Sequence, residues 1–85
     1  MKFNVRNNRI EKTEYIELTP NQADLLKMLL TNDLVWYEEI YKNTNMKNYD
    51  ELSVNLARLR QKTGLNIETR KTMGLVLKDA VFVDY

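Results

Sequence analysis

The sequence contains neither cysteine nor histidine. Without cysteine, the chain can form no disulfide, no thiolate nucleophile and no Cys-based zinc or iron–sulfur site. Without histidine, it lacks the usual general base and the commonest metal ligand. No pair of acidic residues has a spacing that indicates a two-carboxylate catalytic site or a magnesium site. We therefore expect neither enzymatic activity nor a bound metal or cofactor.

Long apolar segments and flexible linkers are also lacking. No apolar run approaches the ~20 residues that span a bilayer, and residues 1–6 do not resemble the apolar part of a signal peptide, which favours a cytoplasmic location. Proline occurs once and glycine twice, and the chain has no repeat and no Pro/Gly-rich linker. We expect the 85 residues to form one small domain around one core.

The charges are unevenly distributed, although their sum is only +1. Residues 1–46 contain six basic and seven acidic side chains, and residues 47–78 contain seven basic and three acidic ones. The last two acidic residues lie in 79–85. A basic excess in one stretch of a near-neutral domain is typical of a modest DNA-binding module. Chance unevenness in a short chain is the alternative interpretation.

Extended structure is predicted near both ends of the chain. Residues 3–5 alternate in polarity, and Asn7 and Asn8 suit a two-residue hairpin turn. Residues 15–18 are β-branched and aromatic, which favours a second strand. Residues 80–83 also alternate, and we expect that strand to pair with the N-terminal sheet or with a C-terminal hairpin. Pairing with a second copy, edge to edge, is the alternative.

Three helices are predicted in the middle of the chain. The first begins with Thr19 as the N-cap, Pro20 in the first turn and Gln22 completing a capping box. Its leucines recur at helical spacing: Leu25, Leu26, Leu29 and Leu30. Residues 35–41 predict a short extended step followed by a short second helix.

The third helix is predicted to begin near Asn48 or Asp50 and to stop at Gly64. One buried stripe is expected on this helix: Leu52, Leu56 and Leu59. The opposite face is expected to be exposed: Ser53, Val54, Ala57, Arg58 and Gln61. Two strands, 66–69 and 75–77, then enclose a basic turn, so the sequence predicts a basic hairpin directly after a helix with a basic face.

Four segments in this order resemble the OmpR-type winged-helix effector domains of bacterial response regulators. LTPNQADLL at 18–26 is similar to the family's "LTxxE…LL" opening, and VWYEEI at 35–40 is similar to "VSREEL". VNLARLRQK at 54–62 resembles the recognition-helix pattern "VHIxRLRxK". IETRKTMGLVL at 67–77 resembles the wing pattern "IxTVRGxGYxL".

The resemblance implies an α+β fold, a winged helix-turn-helix. A short N-terminal antiparallel sheet would occupy residues 1–18, three helices 19–62, and a β-hairpin wing with a tail 63–85. The implied partner is double-stranded DNA, commonly bound by tandem copies on direct repeats or by a homodimer. The third helix would enter the major groove, and the wing would contact the DNA backbone. The implied function is transcription regulation.

The resemblance also assigns six residues to the DNA interface: Val54, Asn55, Arg58, Arg60, Thr69 and Lys71. Val54 would meet a base, most simply a thymine methyl group, and Arg58 would bind a base edge or a phosphate. Asn55 replaces the family's histidine and can still form hydrogen bonds. Arg60 would bind a phosphate, whereas Thr69 and Lys71 would contact DNA from the wing.

Three of the singled-out side chains also have structural interpretations. Arg58 is then a solvated helix residue paired with Asp50, Glu51 or another acidic residue. Arg60 is then a side chain whose apolar stem lies over the core. An exposed Trp36 would indicate a partner site, but we favour a core position because a lone tryptophan in a small domain is more often buried.

A second functional hypothesis is a winged helix that acts on RNA polymerase or another regulator, as a small phage or mobile-element protein would. The near-neutral net charge supports it, as do Asp50 and Glu51, which would repel phosphates at the start of the third helix. In the family, the loop between the second and third helices often meets RNA polymerase. The expected partner-binding residues are therefore those of this loop and the lone tryptophan: Trp36, Asn45, Met46 and Lys47.

Overall fold

Three α-helices and two small β-sheets make up the described part of the chain, which confirms the predicted α+β class. The computed structural model describes residues 2–11, 15–79 and 81–84, with the backbone alone at 82–84. In chain order the elements are β1 Lys2–Asn4, β2 Arg9–Glu11, β3 Tyr15–Glu17, α1 Pro20–Thr31, β4 Val35–Trp36, α2 Tyr37–Asn43, α3 Tyr49–Thr63, β5 Ile67–Arg70, β6 Gly74–Leu77 and β7 Phe82–Asp84. None of these helices is long and apolar enough to cross a membrane.

The N-terminal sheet has the strand order β3-β2-β1-β7, and its first three strands are antiparallel as expected. The predicted two-residue turn is wrong, because Asn4 pairs with Arg9 and four residues connect β1 to β2. Asn8, the last of the four, has a positive φ of 51°, which asparagine tolerates better than most residues. The Asn8 carbonyl accepts a hydrogen bond from Leu18 N–H (2.9 Å), so the loop also contacts the entry to α1.

The strand predicted at residues 80–83 is observed at Phe82–Asp84, so it begins two residues later than expected. It joins the N-terminal sheet. β7 lies parallel to β1, with Val83 opposite Phe3. Residue 80, where the predicted strand began, lies outside the described residues. This pairing brings the two ends of the chain into one sheet, and pairing with a second copy stays an untested prediction.

The start of α1 follows its sequence signals. Thr19 Oγ1 accepts a hydrogen bond from Gln22 N–H (3.3 Å), and Gln22 Oε1 accepts one from Thr19 N–H (3.1 Å). With Pro20 in the first turn, this reciprocal pair satisfies N–H groups that have no partner within the helix. The predicted apolar face packs inward: Leu25, Leu26 and Leu29 are buried, and Leu30 is half-buried.

The limits of α3 also agree with the sequence. Asn48 is the N-cap, and its side chain accepts a hydrogen bond from Glu51 N–H (2.9 Å). The Glu51 carboxylate does not reach back to the Asn48 backbone N–H as it would in a full capping box, and accepts instead from Asn48 Nδ2 (3.2 Å) and Lys47 N–H (3.3 Å). Gly64 ends the helix with φ 70° and donates its N–H to Arg60 O (2.7 Å).

The second sheet joins β4 to the C-terminal hairpin in the order β4-β6-β5. Val35 lies opposite Leu75, and Trp36 lies opposite Gly74. The hairpin turn is closed by Met73 N–H donating to Arg70 O (3.0 Å). Because β4 is the residue pair just before α2, this sheet connects the hairpin to the start of that helix.

The core lies where α1, α3 and both sheets meet. Its members are almost fully inaccessible to solvent. They come from every element whose side chains are described except β3: Phe3, Ile10, Leu18, Ala23, Leu25, Leu26, Leu29, Val35, Ile40, Met46, Leu52, Leu56, Leu59, Leu65, Ile67 and Leu75. The three predicted α3 leucines are therefore confirmed as core residues, which leaves the opposite side of α3 facing outward.

Gly74 should be intolerant of any side chain. A Cβ added at this residue would lie 1.8 Å from Val35 O and 2.9 Å from Trp36 Cα, and both are backbone atoms that cannot rotate away. We expect Gly74→Ala to lower the free energy of unfolding by about 3 kcal/mol, the upper end of the usual cost of overpacking. Chemical denaturation monitored by circular dichroism measures this.

Gly64→Ala is the matched control, because it places an alanine in a left-handed C-cap, where the cost arises from backbone conformation. Its cost should be about 1 kcal/mol. Equal losses for the two variants would show that the close approach of β6 to β4 does not determine the effect.

Candidate nucleic-acid interface

The outward face of α3 carries five exposed side chains at helical spacing: Ser53, Val54, Ala57, Arg58 and Gln61. This is the face that the sequence predicts. The buried stripe on the other side of the helix holds the face in a fixed orientation, since rotating α3 would expose Leu52, Leu56 and Leu59.

Val54 and Arg58 lie one turn apart on this face. Val54 is 49% exposed although it is apolar. Among the described residues, Arg58 has no hydrogen bond or ion pair, so the alternative in which it pairs with Asp50 or Glu51 is not observed. An exposed valine beside an uncompensated arginine combines a group that fits a thymine methyl with one that fits a guanine edge or a phosphate.

Asn55 lies at the margin of the face and is half-buried. Its Nδ2 donates a hydrogen bond to Glu51 O (2.9 Å) in the preceding turn of α3. One of the two N–H donors of this amide is therefore used within the helix. The second N–H and the side-chain carbonyl form no hydrogen bond with the described residues, so both could contact a base.

Arg60 is half-buried and directed at the hairpin. Its Nε donates to Ile67 O (3.1 Å), and its Nη2 donates to the same carbonyl. This geometry agrees with the structural interpretation of Arg60, in which the side chain covers the core edge. The guanidinium connects α3 to β5, and its remaining donors are the part that a phosphate could still reach.

The hairpin carries the other two predicted DNA-binding residues, Thr69 and Lys71, and both are exposed. Its basic charge is partly neutralised by Glu68, whose carboxylate lies 2.7 Å from Arg70 Nε and 3.6 Å from Lys78 Nζ. The sequence contained a signal for this pairing, because residues 68 and 70 share one face of a strand. Lys71 is left with no partner among the described side chains.

The loop between α2 and α3 does not present all of its predicted partner-binding residues. Asn45 and Lys47 are exposed, but Met46 is fully buried, so its side chain is not part of that surface. Lys47 Nζ donates to Thr44 O (2.8 Å) and Tyr41 O (3.2 Å) at the end of α2. A cation beside these C-terminal carbonyls stabilises the helix end.

Trp36 is 48% exposed, so the expected core position is wrong. The reason is the alternation of side chains along β4: Val35 points inward and is 2% exposed, which turns the next residue outward. Trp36 is also the N-cap of α2 and makes no side-chain capping bond. It lies beside the hairpin turn, where Tyr37 N–H donates to Met73 O (3.1 Å).

Two tyrosines connect the hairpin to the start of α3, and the sequence analysis did not identify them. Tyr37 and Tyr49 form an edge-to-face pair with centroids 5.7 Å apart. Each is the first residue of its helix, and this shared position is the feature of the sequence that could have identified them. Burial raises the pKa of Tyr37, the neighbouring Tyr49 and Tyr41 raise it further, and Arg60 opposes the shift.

The fold therefore divides the seven cations of residues 47–78 into those that have a partner within the protein and those that do not. Five of its seven cations donate to backbone carbonyls or pair with a carboxylate, including Lys62, whose Nζ contacts Gln22 Oε1 (2.8 Å) and Glu17 O (3.1 Å). For the other two, Arg58 and Lys71, no partner lies within the described ranges. Within this stretch, these two are the cations most available to an external anion.

Arg60 and Arg58 should behave differently when the charge is removed. Arg60→Met leaves the Ile67 carbonyl without its donor, and we expect the free energy of unfolding to fall by about 1–2 kcal/mol. Arg58→Met should change it by less than about 0.5 kcal/mol. Urea denaturation compares the two variants, and a larger loss for Arg58→Met would contradict this arrangement.

Alkaline pH should destabilise the protein through the tyrosines at α2. Burial is the main cause that raises the pKa of Tyr37 and of Tyr41 above the ordinary value of 10.0. Because the folded state favours the neutral phenol, this stabilisation is complete below the unfolded pKa and is lost as pH rises through the folded pKa. Ultraviolet absorbance titration should show a late-ionising component that decreases in Tyr37→Phe. An unchanged late component would contradict this explanation.

No protein-family model, curated protein or solved structure matches this chain. The resemblance to the OmpR-type domains therefore rests on the four collinear segments. The geometry described above is independent of that resemblance, because it follows from the burial and contacts of the chain's own residues.

Proposed function

We propose that the protein is a winged helix-turn-helix regulator that binds double-stranded DNA. The observation that carries this proposal is the outward face of α3, which presents Val54 and Arg58 while a hairpin with an uncompensated Lys71 follows the helix. In this function α3 enters the major groove and the hairpin contacts the backbone. Helix α3 and the turn of the hairpin would then bind the same DNA site. The protein would act in the cytoplasm.

The dimensions of α3 support this mode of binding. Its 15 residues form a rod of about 22 Å, and the major groove is roughly 12 Å wide and admits one helix. Ser53 and Gln61, at the two ends of the exposed face, are eight residues apart, so this face extends about 12 Å along the axis. A surface of this length fits roughly three base pairs at ~3.4 Å each.

The charges support a binding mode that uses few phosphate contacts. Asp50 and Glu51 are exposed at the start of α3 and oppose any phosphate near that end. Glu68 neutralises part of the hairpin. Non-specific affinity should therefore be modest, and specificity would come from a small set of base contacts together with DNA shape.

The proposal predicts a charge-dependent loss of DNA affinity. We expect Arg58→Gln/Lys71→Gln to weaken binding to a labelled random-sequence duplex about tenfold at low salt. The slope of log K against log salt should become shallower by about 2, because two phosphate contacts are removed. Fluorescence anisotropy at several salt concentrations measures both quantities.

The matched control is Lys2→Gln/Arg6→Gln, which removes the same charge from the exposed N-terminal strand and its loop. It should change affinity less than about twofold. The proposal fails if the folded wild-type protein does not bind the duplex at low salt, or if both double variants weaken binding equally. If it holds, operator selection and the stoichiometry on direct repeats are the next measurements.

The second candidate function is a protein-interaction module that acts on RNA polymerase or another regulator. The exposed Trp36 favours it, because tryptophan is enriched at the centre of protein interfaces. This function is supported if the protein binds purified RNA polymerase while the anisotropy experiment detects no DNA affinity. A Trp36→Ala variant that binds the polymerase as well as the wild-type protein does would remove that support.

A further inference from the structure

Trp36 separates two open grooves on the side of the molecule formed by α1, β4 and α2. The larger groove has a volume of ≈ 450 Å³ and lies between Met28, Leu34 and Asn43. The smaller one has a volume of ≈ 270 Å³ and lies between Trp36 and the hairpin turn. Met73, at that turn, is 41% exposed. The larger volume is within the range of roughly 300–1,000 Å³ that is usual for ligand-binding pockets.

The grooves are acidic as well as apolar. Glu39 lines both of them, Glu38 lines the smaller one, and neither lining includes a basic residue. Asn43 Nδ2 donates to Glu39 Oε2 (3.2 Å), which orients that carboxylate towards the groove. Lys42 lies on the next turn of α2, but no ion pair joins it to either glutamate within the described part of the chain. The carboxylates are therefore available to an external cation.

This surface lies apart from α3, the helix of the proposed DNA interface. No residue of α3 lines either groove, whereas Thr72 and Met73 of the hairpin turn, next to Lys71, line the smaller one. The two surfaces also differ in sign, because the α3 and hairpin face has Arg58 and Lys71 whereas the grooves have two glutamates. A phosphate backbone would be repelled from the grooves, and a basic segment would be attracted to them.

The geometry points to a docking site for a segment of another protein that has a large apolar side chain next to lysine or arginine. The apolar side chain enters the larger groove beside Met28 and Leu34. The cation pairs with Glu38 and Glu39 and stacks on the exposed indole of Trp36. Charge complementarity selects this occupant, since an acidic or purely polar segment gains neither contact. The inference does not depend on DNA binding.

Trp36 is the chain's single tryptophan, so its fluorescence and its indole N–H signal report on this site directly. Three synthetic peptides are titrated into the full chain. The first has a Leu-Phe centre flanked by Lys and Arg, the second has the same centre flanked by Glu, and the third has the basic flanks around a Gly-Ser centre. The first peptide should shift the Trp36 emission to shorter wavelength and saturate, and the other two should bind about tenfold more weakly or less.

The variant Glu38→Gln/Glu39→Gln should weaken binding of the first peptide about tenfold, whereas Glu17→Gln/Asp24→Asn removes two charges elsewhere and should leave it unchanged.

The inference is overturned if the first peptide changes neither Trp36 signal at millimolar concentration. It is also overturned if all three peptides bind equally or if the two double variants behave alike. A duplex that shifts Trp36 more strongly than the first peptide would assign the surface to DNA and overturn it as well. These results are separable from a failure of DNA binding, which the Arg58 and Lys71 variants test.

Discussion

The hairpin lies against β4 because residue 74 has no side chain. Gly74 pairs with Trp36 at a distance that would place a Cβ 1.8 Å from Val35 O. This approach sets the position of the hairpin relative to α2, and Tyr37 N–H donating to Met73 O strengthens the same connection. Arg60 then joins β5 to the end of α3 through Ile67 O. These contacts therefore connect the hairpin to both α2 and α3, and a substitution that separated β6 from β4 would disturb both proposed surfaces.

The same contacts determine which charges remain available. Lysines and arginines that are near one another in sequence have different roles, because most of them form hydrogen bonds or ion pairs within the fold. Lys47 stabilises the end of α2, and Lys62 connects α3 to the start of α1. Within residues 47–78, Arg58 and Lys71 are the two cations that form no such contact with the described residues, so a domain with a net charge of +1 can still present uncompensated cations on α3 and the hairpin. Local uncompensated charge, and not the total, decides whether such a surface attracts an anion.

The two proposed surfaces place opposite charges on different parts of a small domain. We propose DNA as the ligand of the α3 face and the hairpin, and a basic protein segment as the ligand of the grooves beside Trp36. A regulator that used both would bring a partner to a DNA site. The exposed Trp36 supports the groove surface as a binding site. Its side chain is still in contact with water, so burying it against a partner would be favourable through the hydrophobic effect.

Local signals determined most of the secondary structure. The capping residues Thr19 and Asn48 and the C-cap Gly64 act within one turn of chain, and the leucine spacing of α3 identifies its buried face. For the same reason the exposed positions of Val54 and Arg58 were predictable. Only the tertiary structure decided the rest: the burial of Met46, the exposure of Trp36, the use of Arg60 within the fold, and the joining of β7 to β1. These depend on contacts between residues far apart in sequence, such as Trp36 with Gly74, and no local pattern encodes which side of a two-residue strand meets a distant hairpin.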